Sequence, residues 1–268
     1  MTENSENPGA GAGRDTVQSL VRGLAVIRAF DAEHPELTLS EVARRAGITR
    51  AAAGRFLRTL EQVSYVRGSA EPAGGRTFAL TPRVLELGFS FLSALSIPDV
   101  VQPHLESLSR EVDESVSAAV LDGDSIVYVA RVPTRRIMSV RITIGTRFPA
   151  FATSMGRVLL SSMTESAQIA LLTASVRPAL TERTVTDVDE LRAELERVRI
   201  KGWALVDGEL ELGLRSVAVP LHDSRGAVVA AINVSTSATR DSVEHVVGQH
   251  LPLLQRTAAA IEAELRLV

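Results

Sequence analysis

TLSEVARRAGITRAAAGRFLRTLEQV, residues 38–63 of the chain, predicts two short helices joined by a tight turn. Thr38 and Glu41 form a capping box, so we expect the first helix to begin at Thr38. Gly47 supplies the left-handed backbone conformation that commonly ends a helix, and Thr49 is a suitable cap for the second one. This arrangement has the spacing of a helix-turn-helix.

The second helix of this motif has two chemically different faces. Its apolar residues recur at helical spacing and predict a buried face; they are Ala53, Phe56, Leu57, Leu60 and Val63. The opposite face combines arginines with small residues, so the helix can approach a DNA groove while arginines reach phosphates and guanine edges. The predicted DNA-binding residues are Thr49, Arg50, Ala51, Gly54, Arg55, Arg58 and, in the hairpin that follows, Arg76. The alternative is that these arginines only solvate an exposed helix face.

The flanking segments predict the rest of a winged helix-turn-helix. Ser19 is expected to cap an earlier helix. Leu20, Leu24 and Ile27 of that helix are expected to point inward, with Val21 and Phe30 beside them. Two short strands, 65–67 and 77–80, then enclose a Gly-rich loop. Arg67 and Arg76 flank that loop. Each can contact the minor groove or a phosphate, or can simply be a solvated residue at a strand end.

Composition agrees with a DNA-binding unit attached to a second domain. The chain has 268 residues and a net charge of -3, which is long enough for one large domain or two modest ones. Residues 14–80 contain ten basic and seven acidic residues, whereas residues 81–268 contain 19 basic and 23 acidic residues. The absence of cysteine excludes disulfides, thiolate metal sites and cysteine nucleophiles.

The chain is predicted to contain four segments. Residues 1–15 are polar and Gly/Ala-rich, which predicts a disordered tail without a signal peptide. Residues 16–80 form the winged helix-turn-helix domain, 81–97 a linker and dimerisation helix, and 98–268 an effector-binding domain. No stretch is long enough to cross a membrane, so we expect a cytoplasmic protein.

The linker helix is apolar on more than one side. It begins with Pro82 in its first turn. Its apolar residues include Val84, Leu85, Leu87, Phe89, Phe91 and Leu92. The simplest cover is the same helix of a second subunit, which suits a palindromic operator. Packing against its own domains is the alternative.

The remainder of the chain predicts an α+β domain, an antiparallel sheet with flanking helices. The expected strands are 116–121, 125–132, 137–144, 203–206, 215–221 and 227–235. The expected helices are 100–112, one opened by Ser154, one around 168–172, one capped by Asp187 and closed by Gly202, and a terminal helix kinked at Pro252.

Sequence signatures of catalysis are missing from this domain, which has no Gly-x-Ser-x-Gly, P-loop or Ser-x-x-Lys motif. The histidines occur at no spacing typical of metal ligands, so no metal site and no cofactor is predicted. They are His34, His104, His222, His245 and His250. A Ser/His/Asp triad assembled in space stays open as an alternative.

One loop of the second domain suits a small ligand. The segment 145–156 (GTRFPAFATSMG) places Phe148 and Phe151 directly before a predicted helix N-terminus. Free backbone N–H groups there attract a carboxylate, and the two rings can enclose an aromatic or short apolar body. An ordinary strand-to-helix connection with core phenylalanines is the alternative.

Short motifs in order from about Val17 to the C-terminus match those of one family. They are LSEVARRAG (39–47) with the helix that follows, ATSMGRVLL (152–160), Gly202-Trp203, ELELGLRS (209–216) and AAINVS (230–235). Together they resemble the IclR family of bacterial transcriptional regulators. VPTRRIM (132–138), TRFP (146–149) and LVDGELELG (205–213) are most similar to its Pca/Pob branch, which controls protocatechuate and 4-hydroxybenzoate catabolism through β-ketoadipate.

The resemblance implies a GAF-like C-terminal domain with an effector pocket. By position, that pocket would contain Ser154, Met155, Asp207, Leu214, Ser216, Asn233 and Ser235, to which the loop adds Phe148 and Phe151. Many members carry an acid where this chain has Val206 and a cysteine where it has Ser216; the missing acid suits an anionic effector. The cations near this pocket in sequence are Arg135, Arg136, Arg141 and Arg147.

These features together predict a ligand-responsive transcriptional regulator of aromatic-acid catabolism, a homodimer or dimer of dimers. The expected effector is a small carboxylate of the protocatechuate, 4-hydroxybenzoate or β-ketoadipate class, with its acid group at the Ser154 and Met155 amides. One alternative is an IclR-type regulator of another carboxylate pathway. The other is a hydrolase or sensor that uses the winged helix for protein contact.

Overall fold

The computed structural model describes residues 16–70, 76–88, 97–134 and 142–266. They form two compact units, one within residues 1–91 and the other within residues 92–268. Several sequence predictions lie outside the described residues. These are the tail 1–15, the middle of the wing loop, Phe89, Phe91 and Leu92 of the linker helix, and most of the predicted strand 137–144.

The first unit is a winged helix-turn-helix, as predicted. Its elements are α1 (Gln18–Arg28), β1 (Glu36–Thr38), α2 (Leu39–Arg45), α3 (Arg50–Gln62), β2 (Val66–Ala70) and β3 (Arg76–Leu80). The strands form an antiparallel sheet in the order β1-β3-β2. The sequence prediction missed β1, since three residues are too few to show the alternation of a strand. The core between helices and sheet includes Val26, Leu37, Val42, Ala53, Leu57 and Phe78.

The caps of the helix-turn-helix are those that the sequence predicts. The Thr38 hydroxyl accepts a hydrogen bond from the Glu41 amide, and the Glu41 carboxylate accepts one from the Thr38 amide at 2.8 Å. Gly47 adopts φ +65° directly after α2. The Thr49 hydroxyl caps α3 by accepting from the Ala52 amide at 3.2 Å. Short-range hydrogen bonds therefore fix the residues at which α2 and α3 begin.

The prediction for α1 is wrong in its cap and in part of its buried face, although Phe30 is buried as predicted. The helix begins at Gln18 after Val17, with no side-chain cap, so Ser19 lies inside it. Leu20 and Leu24 are 63% and 47% exposed, and Val21 is exposed as well. Val26 is fully buried instead. The apolar residues of α1 occupy both sides of the helix, and periodicity does not show which side the unit itself covers.

The second unit is an α+β domain around a six-stranded antiparallel sheet, which confirms the predicted class. Its helices are α4 (Ile97–Val112), α5 (Ser154–Ser161), α6 (Glu165–Ala174), α7 (Val188–Lys201), α8 (Val243–His245) and α9 (Leu251–Leu265). Its strands are β4 (Ser115–Asp122), β5 (Ser125–Val132), β6 (Arg147–Pro149), β7 (Ala204–Asp207), β8 (Leu214–His222) and β9 (Val228–Ser237). The strand order is β6-β5-β4-β9-β8-β7.

The sheet carries a separate apolar core on each face. On one face it packs against α4 and α9, with Leu105, Val116, Ile232 and Ile261 fully buried. On the other face it packs against α5 and the core that α5 shares with α7. Alternate residues of each strand therefore belong to different cores. A polar residue on the second face interrupts the apolar layer that packs against α5.

Local signals again locate the helix ends of this unit. The Asp187 carboxylate accepts hydrogen bonds from the Asp189 and Glu190 amides at 2.9 and 3.0 Å, and Gly202 closes α7 at φ +75°. Near the C-terminus, a π-helical turn (Val246–His250) precedes Pro252, where the sequence predicts a kink. Within the described residues, no helix is long and apolar enough to span a membrane.

Candidate functional site

The exposed face of α3 is the first candidate site. Arg50, Ala51, Arg55 and Arg58 are exposed, and with Gly54 and Leu39 they line a shallow depression on the surface. Within the part of the chain that the structure describes, no acidic side chain pairs with any of the three arginines. Three full positive charges on one small surface are therefore available to an anionic partner.

The arginines of the wing are placed differently. Arg76 pairs with Glu61 at 2.6 Å and stacks over the Phe78 ring at 5.2 Å. Arg67 lies 3.4 Å from Glu36. A phosphate contact by either wing arginine has to compete with its acidic neighbour, whereas the α3 arginines have no such competitor among the described residues.

The second candidate site is a cavity in the second unit. Six of the predicted effector residues line it: Ser154, Met155, Leu214, Ser216, Asn233 and Ser235. The remaining lining residues, which the sequence prediction missed, are Tyr128, Ile142, Ala152, Thr153, Val206 and Leu210. The wall is mainly apolar with a few polar groups, as is usual for a small-molecule site.

One end of the cavity is the N-terminus of α5. The Thr153 hydroxyl caps this helix by accepting from the Gly156 amide at 3.1 Å. The amides of Ser154 and Met155 have no acceptor among the described residues. The Ser154 hydroxyl lies 2.8 Å from the Ser216 hydroxyl. Unpaired amides at a helix N-terminus, where the helix dipole is positive, form a site for a carboxylate.

The floor of the cavity is a polar patch on the sheet. Ser216 and Ser235 are opposite each other in β8 and β9, and Ser117 of β4 is opposite Asn233, so all four share one face. The Asn233 amide nitrogen donates to Ser235 Oγ at 2.9 Å. Its Oδ1 atom is buried and accepts no hydrogen bond among the described residues. A buried amide oxygen without a partner favours a ligand that carries a hydroxyl donor.

Tyr128 and Arg131 add a phenol and a cation on the same side of the sheet. Burial raises the pKa of Tyr128 to about 12, although the charge of Arg131 opposes the rise, so the phenol stays protonated. Arg131 donates to Ser117 Oγ at 3.1 Å. A bulge between Ala118 and Ala119 aligns Tyr128 and Arg131 on one face although they are three residues apart. Strict alternation along β5 places them on opposite faces, so the sequence prediction missed both.

Three predicted effector residues do not line the cavity. Phe148 packs edge-on against Tyr128, with ring centroids 5.9 Å apart, and Phe151 is buried in the core of α5. Asp207 lies on the other face of β7 from Val206, where it pairs with Arg215 at 2.8 Å. Alternation along the strand explains this, because Val206 is opposite Ser216 and faces the cavity.

None of the arginines that the sequence predicts near the pocket is among the described residues that line the cavity. Arg147 pairs with Asp122 at 2.5 Å, at the turn of the β4–β5 hairpin. Arg135, Arg136 and Arg141 lie outside the described residues. Arg131 is therefore the arginine near the cavity floor that the structure identifies.

A buried ion pair connects α5 to the loop that supplies Leu210. Arg157 of α5 donates to Glu209 at 2.6 Å, and both side chains are less than a tenth exposed. Glu209 also accepts from the Val185 amide at 3.0 Å. The carboxylate of Glu209 thus joins three segments of chain around one end of the cavity.

Comparison with known proteins finds family matches for both parts of the chain. Residues 19–69 match the IclR helix-turn-helix domain, and residues 89–263 match the bacterial transcriptional regulator IclR C-terminal domain. The chain is 42% identical to the Pca regulon regulatory protein of Pseudomonas putida over 90% of this chain and 81% of that protein. Two regulators of Acinetobacter baylyi also match: the Pca operon regulatory protein, 34% identical over 96% of this chain and 92% of that protein, and the p-hydroxybenzoate hydroxylase transcriptional activator, 35% identical over 91% and 90%.

Two solved structures resemble this fold closely. A transcriptional regulator from Rhodococcus sp. RHA1 is 54% identical, with a TM-score of 0.81, over 93% of this chain and 98% of that one. An IclR homologue from Microbacterium hydrocarbonoxydans, complexed with 4-hydroxybenzoate, is 26% identical with a TM-score of 0.81, over 93% of this chain and all of that one. The predicted family and its Pca/Pob branch are thereby confirmed. The chain belongs to the IclR family of bacterial transcriptional regulators.

Proposed function

We propose that this regulator controls aromatic-acid catabolism in the cytoplasm and responds to a small acid of the 4-hydroxybenzoate, protocatechuate or β-ketoadipate class. The observation that carries the proposal is the cavity that joins two free helix amides to an unpartnered amide oxygen. One end suits an anion and the floor suits a hydroxyl donor. Its mainly apolar lining with a few polar groups suits a small ligand with a single aromatic ring. A structural neighbour that binds 4-hydroxybenzoate supports the choice of ligand class.

The carboxylate of this acid binds at the amides of Ser154 and Met155. A helix N-terminus contributes about half a positive charge together with unsatisfied donors, and both favour an anion over a neutral group. Arg131, two strands from Asn233 and opposite Ser117, adds a full positive charge on the same face of the sheet. Electrostatics therefore favour an acid over its neutral ester.

The ring occupies the apolar middle of the cavity, between Tyr128, Met155, Leu210 and Leu214. A hydroxyl on the ring donates to Asn233 Oδ1, which removes the cost of a buried acceptor without a partner. This arrangement distinguishes a hydroxylated aromatic acid from benzoate.

Calorimetric titration of the full-length protein tests the ligand. 4-Hydroxybenzoate, protocatechuate and β-ketoadipate are titrated beside benzoate and the methyl esters of the two aromatic acids. We expect at least one hydroxylated or dicarboxylic acid to bind and its ester to bind far more weakly, because the ester has lost the charge. Equal affinity for acid and ester would refute the carboxylate site, and no binding of any acid would refute the ligand class.

A pair of variants in β9 tests the role of the floor. Asn233→Ala should weaken 4-hydroxybenzoate binding by about 1–3 kcal/mol and leave benzoate binding nearly unchanged, since only the former has a ring hydroxyl. Ser237→Ala is the matched control, because Ser237 ends the same strand at an exposed position outside the cavity. Equal losses for both ligands in Asn233→Ala would contradict the hydroxyl contact.

The DNA-binding surface that we propose comprises Thr49, Arg50, Ala51, Gly54, Arg55, Arg58 and, in the wing, Arg76. The free α3 arginines support it, since α3 occupies the place of the recognition helix in a helix-turn-helix. Arg76 would contribute less than the others because Glu61 already neutralises part of its charge.

We further propose that the chain acts as a homodimer or a dimer of dimers on a palindromic operator. Four apolar residues near the start of α1 support this, since they are 47–63% exposed: Val17, Leu20, Val21 and Leu24. Leu85 and Leu87, which follow the wing, are 72% and 53% exposed. Leu20 and Leu24 are one turn apart on α1, and neighbouring exposed apolar side chains of this kind are typical of a surface that a second subunit covers.

A further inference from the structure

Asp241, His245 and His250 form a cluster where the last helical segment begins, and none of them lines the effector cavity. A carboxylate oxygen of Asp241 and one ring nitrogen of each histidine all lie within 4.8 Å of one another. Asp241 Oδ2 is 3.4 Å from His250 Nε2, and Asp241 Oδ1 is 3.8 Å from His245 Nε2. Imidazole nitrogens and carboxylate oxygens are common ligands of divalent transition metals.

These distances fit coordination of a shared ion better than direct hydrogen bonds. An N–H···O hydrogen bond spans about 2.7–3.2 Å, so the contact to His250 is long and the contact to His245 is outside the range. Ligands about 2.0–2.1 Å from a tetrahedral ion lie roughly 3.3–3.4 Å from each other. Small side-chain rotations would therefore bring all three donors to a common ion.

The backbone between the two histidines explains why they meet. Residues five apart in an α-helix point about 140° away from each other. The turn Val246–His250 is π-helical instead, with the Leu251 amide donating to the Val246 carbonyl, and its wider path brings the histidines to one side. Their rings lie 5.0 Å apart and nearly perpendicular. Single π turns inside helices frequently mark functional sites.

Neighbouring groups hold the carboxylate of Asp241 in position. The Thr236 hydroxyl donates to it, and the Arg215 guanidinium donates to its backbone carbonyl. Asp207 balances the charge of Arg215 at 2.8 Å. Supporting hydrogen bonds of this kind orient metal ligands in proteins.

The cluster is open to solvent on one side only. Asp241 and His250 are buried, whereas about half of the His245 side chain is exposed. An ion can therefore enter past His245 and keep a water molecule or a further ligand on the exposed side.

We propose that Asp241, His245 and His250 bind one divalent transition-metal ion, for which Zn²⁺ is the best match. Two imidazoles and one carboxylate suit Zn²⁺, whereas Mg²⁺ and Ca²⁺ prefer sites made of oxygen ligands. The sequence prediction found no metal site because an i, i+5 pair of histidines is not a ligand spacing on a regular α-helix. The π turn brings this pair of histidines to one side of the helix, where both can bind the same ion.

Titration of the tag-free, chelator-treated full-length protein with Zn²⁺ tests the proposal. We expect one equivalent per chain for the wild type and at least tenfold weaker binding, roughly the cost of losing even an outer partner of a ligand, for His245→Ala. His104→Ala is the matched control, since His104 is also partly exposed and pairs with a carboxylate, Glu264, at 2.7 Å. This control should bind Zn²⁺ as the wild type does.

Thermal unfolding supplies a second readout on the same proteins. Zn²⁺ should raise the melting temperature of the wild type and of His104→Ala but not that of His245→Ala, because an ion that binds only the folded state stabilises it. Equal Zn²⁺ affinity in wild type and His245→Ala, or no Zn²⁺ binding by the wild type, would overturn the proposal. Equal affinity for Mg²⁺ and Zn²⁺ would also overturn it.

Discussion

At the scale of single residues, the surface arginines differ in whether their charge is already neutralised. Arg55 and Arg58 are exposed and lie off the buried face of α3, whereas Arg76 is paired with Glu61. Arg55→Ala or Arg58→Ala should therefore weaken operator binding by about 1–3 kcal/mol if the residue contacts a guanine bidentately. Fluorescence anisotropy with operator DNA at fixed salt measures the loss.

Arg225→Ala is the control for these variants. It removes one exposed arginine from a turn of the second unit, where Arg225 pairs only with the neighbouring Asp223. We expect wild-type affinity for the operator and an unchanged circular dichroism spectrum. Wild-type operator affinity in both α3 variants would show that another surface reads the DNA.

The ion pair between Arg157 and Glu209 is a buried residue-scale feature of the second unit. Both charges are buried, so removal of one partner leaves the other without compensation. Glu209→Ala should destabilise the protein by about 3–5 kcal/mol in urea unfolding. The double variant Arg157→Met/Glu209→Leu should recover part of that loss, since it removes both charges. A double variant less stable than Glu209→Ala would contradict this account.

At the scale of elements, Gly156 fixes how closely α5 packs against the turn before it. A Cβ atom at this position would lie 2.1 Å from the Ala150 carbonyl oxygen. Gly156→Ala should therefore displace the 3₁₀ turn Ala150–Ala152, lower stability by about 1–3 kcal/mol and weaken effector binding at the adjacent amides. Gly248→Ala, where a Cβ meets open space in a helical turn, should leave effector binding unchanged and should not lower stability. Calorimetry and thermal unfolding of both variants provide the comparison.

Helix ends could be predicted from the sequence because the signals for them are local. Thr38 with Glu41, Asp187 with Glu190, and Gly202 each act within one turn of the chain. Burial of α1 could not be predicted in the same way. Leu20 and Leu24 have the spacing of core residues, but contacts distant in sequence decide that the unit buries Val26 instead.

The effector site could be predicted only in part, for a related reason. Ser216, Asn233 and Ser235 were located from family resemblance, and the regular alternation of β8 and β9 keeps them on the cavity face. Tyr128 could not be predicted, because its place on the cavity face depends on the bulge between Ala118 and Ala119. Asp207 does not line the cavity, whereas its neighbour Val206 does, because successive residues of a strand point to opposite faces.

The exposed half of α1 is the element that we expect to join two subunits. Leu20→Glu/Leu24→Glu should produce monomers, because charges on this surface oppose its burial against a second copy. Sedimentation at micromolar concentration measures the assembly, and operator binding should fall in parallel. Arg22→Glu is a control on the exposed polar side of the same helix and should leave assembly intact. A wild-type protein that sediments as a monomer would rule out this interface.

At the scale of the whole molecule, regulation requires that effector binding in one unit change DNA binding by the other. Such a coupling is a free energy, and it acts equally in both directions. If the acid changes operator affinity by a given factor, then saturating operator DNA must change acid affinity by the same factor. Couplings between sites are typically about 5–150-fold.

We therefore expect calorimetry with the cognate acid to give different affinities with and without saturating operator DNA. Arg55→Ala/Arg58→Ala provides the internal control, because the DNA should have no effect on acid binding once the α3 face no longer binds it. The direction of the change distinguishes the two modes of regulation: tighter acid binding on DNA means that the acid favours the bound state, and weaker binding means that it promotes release. An acid affinity that is the same with and without DNA would show that the second unit binds the acid without regulating the first.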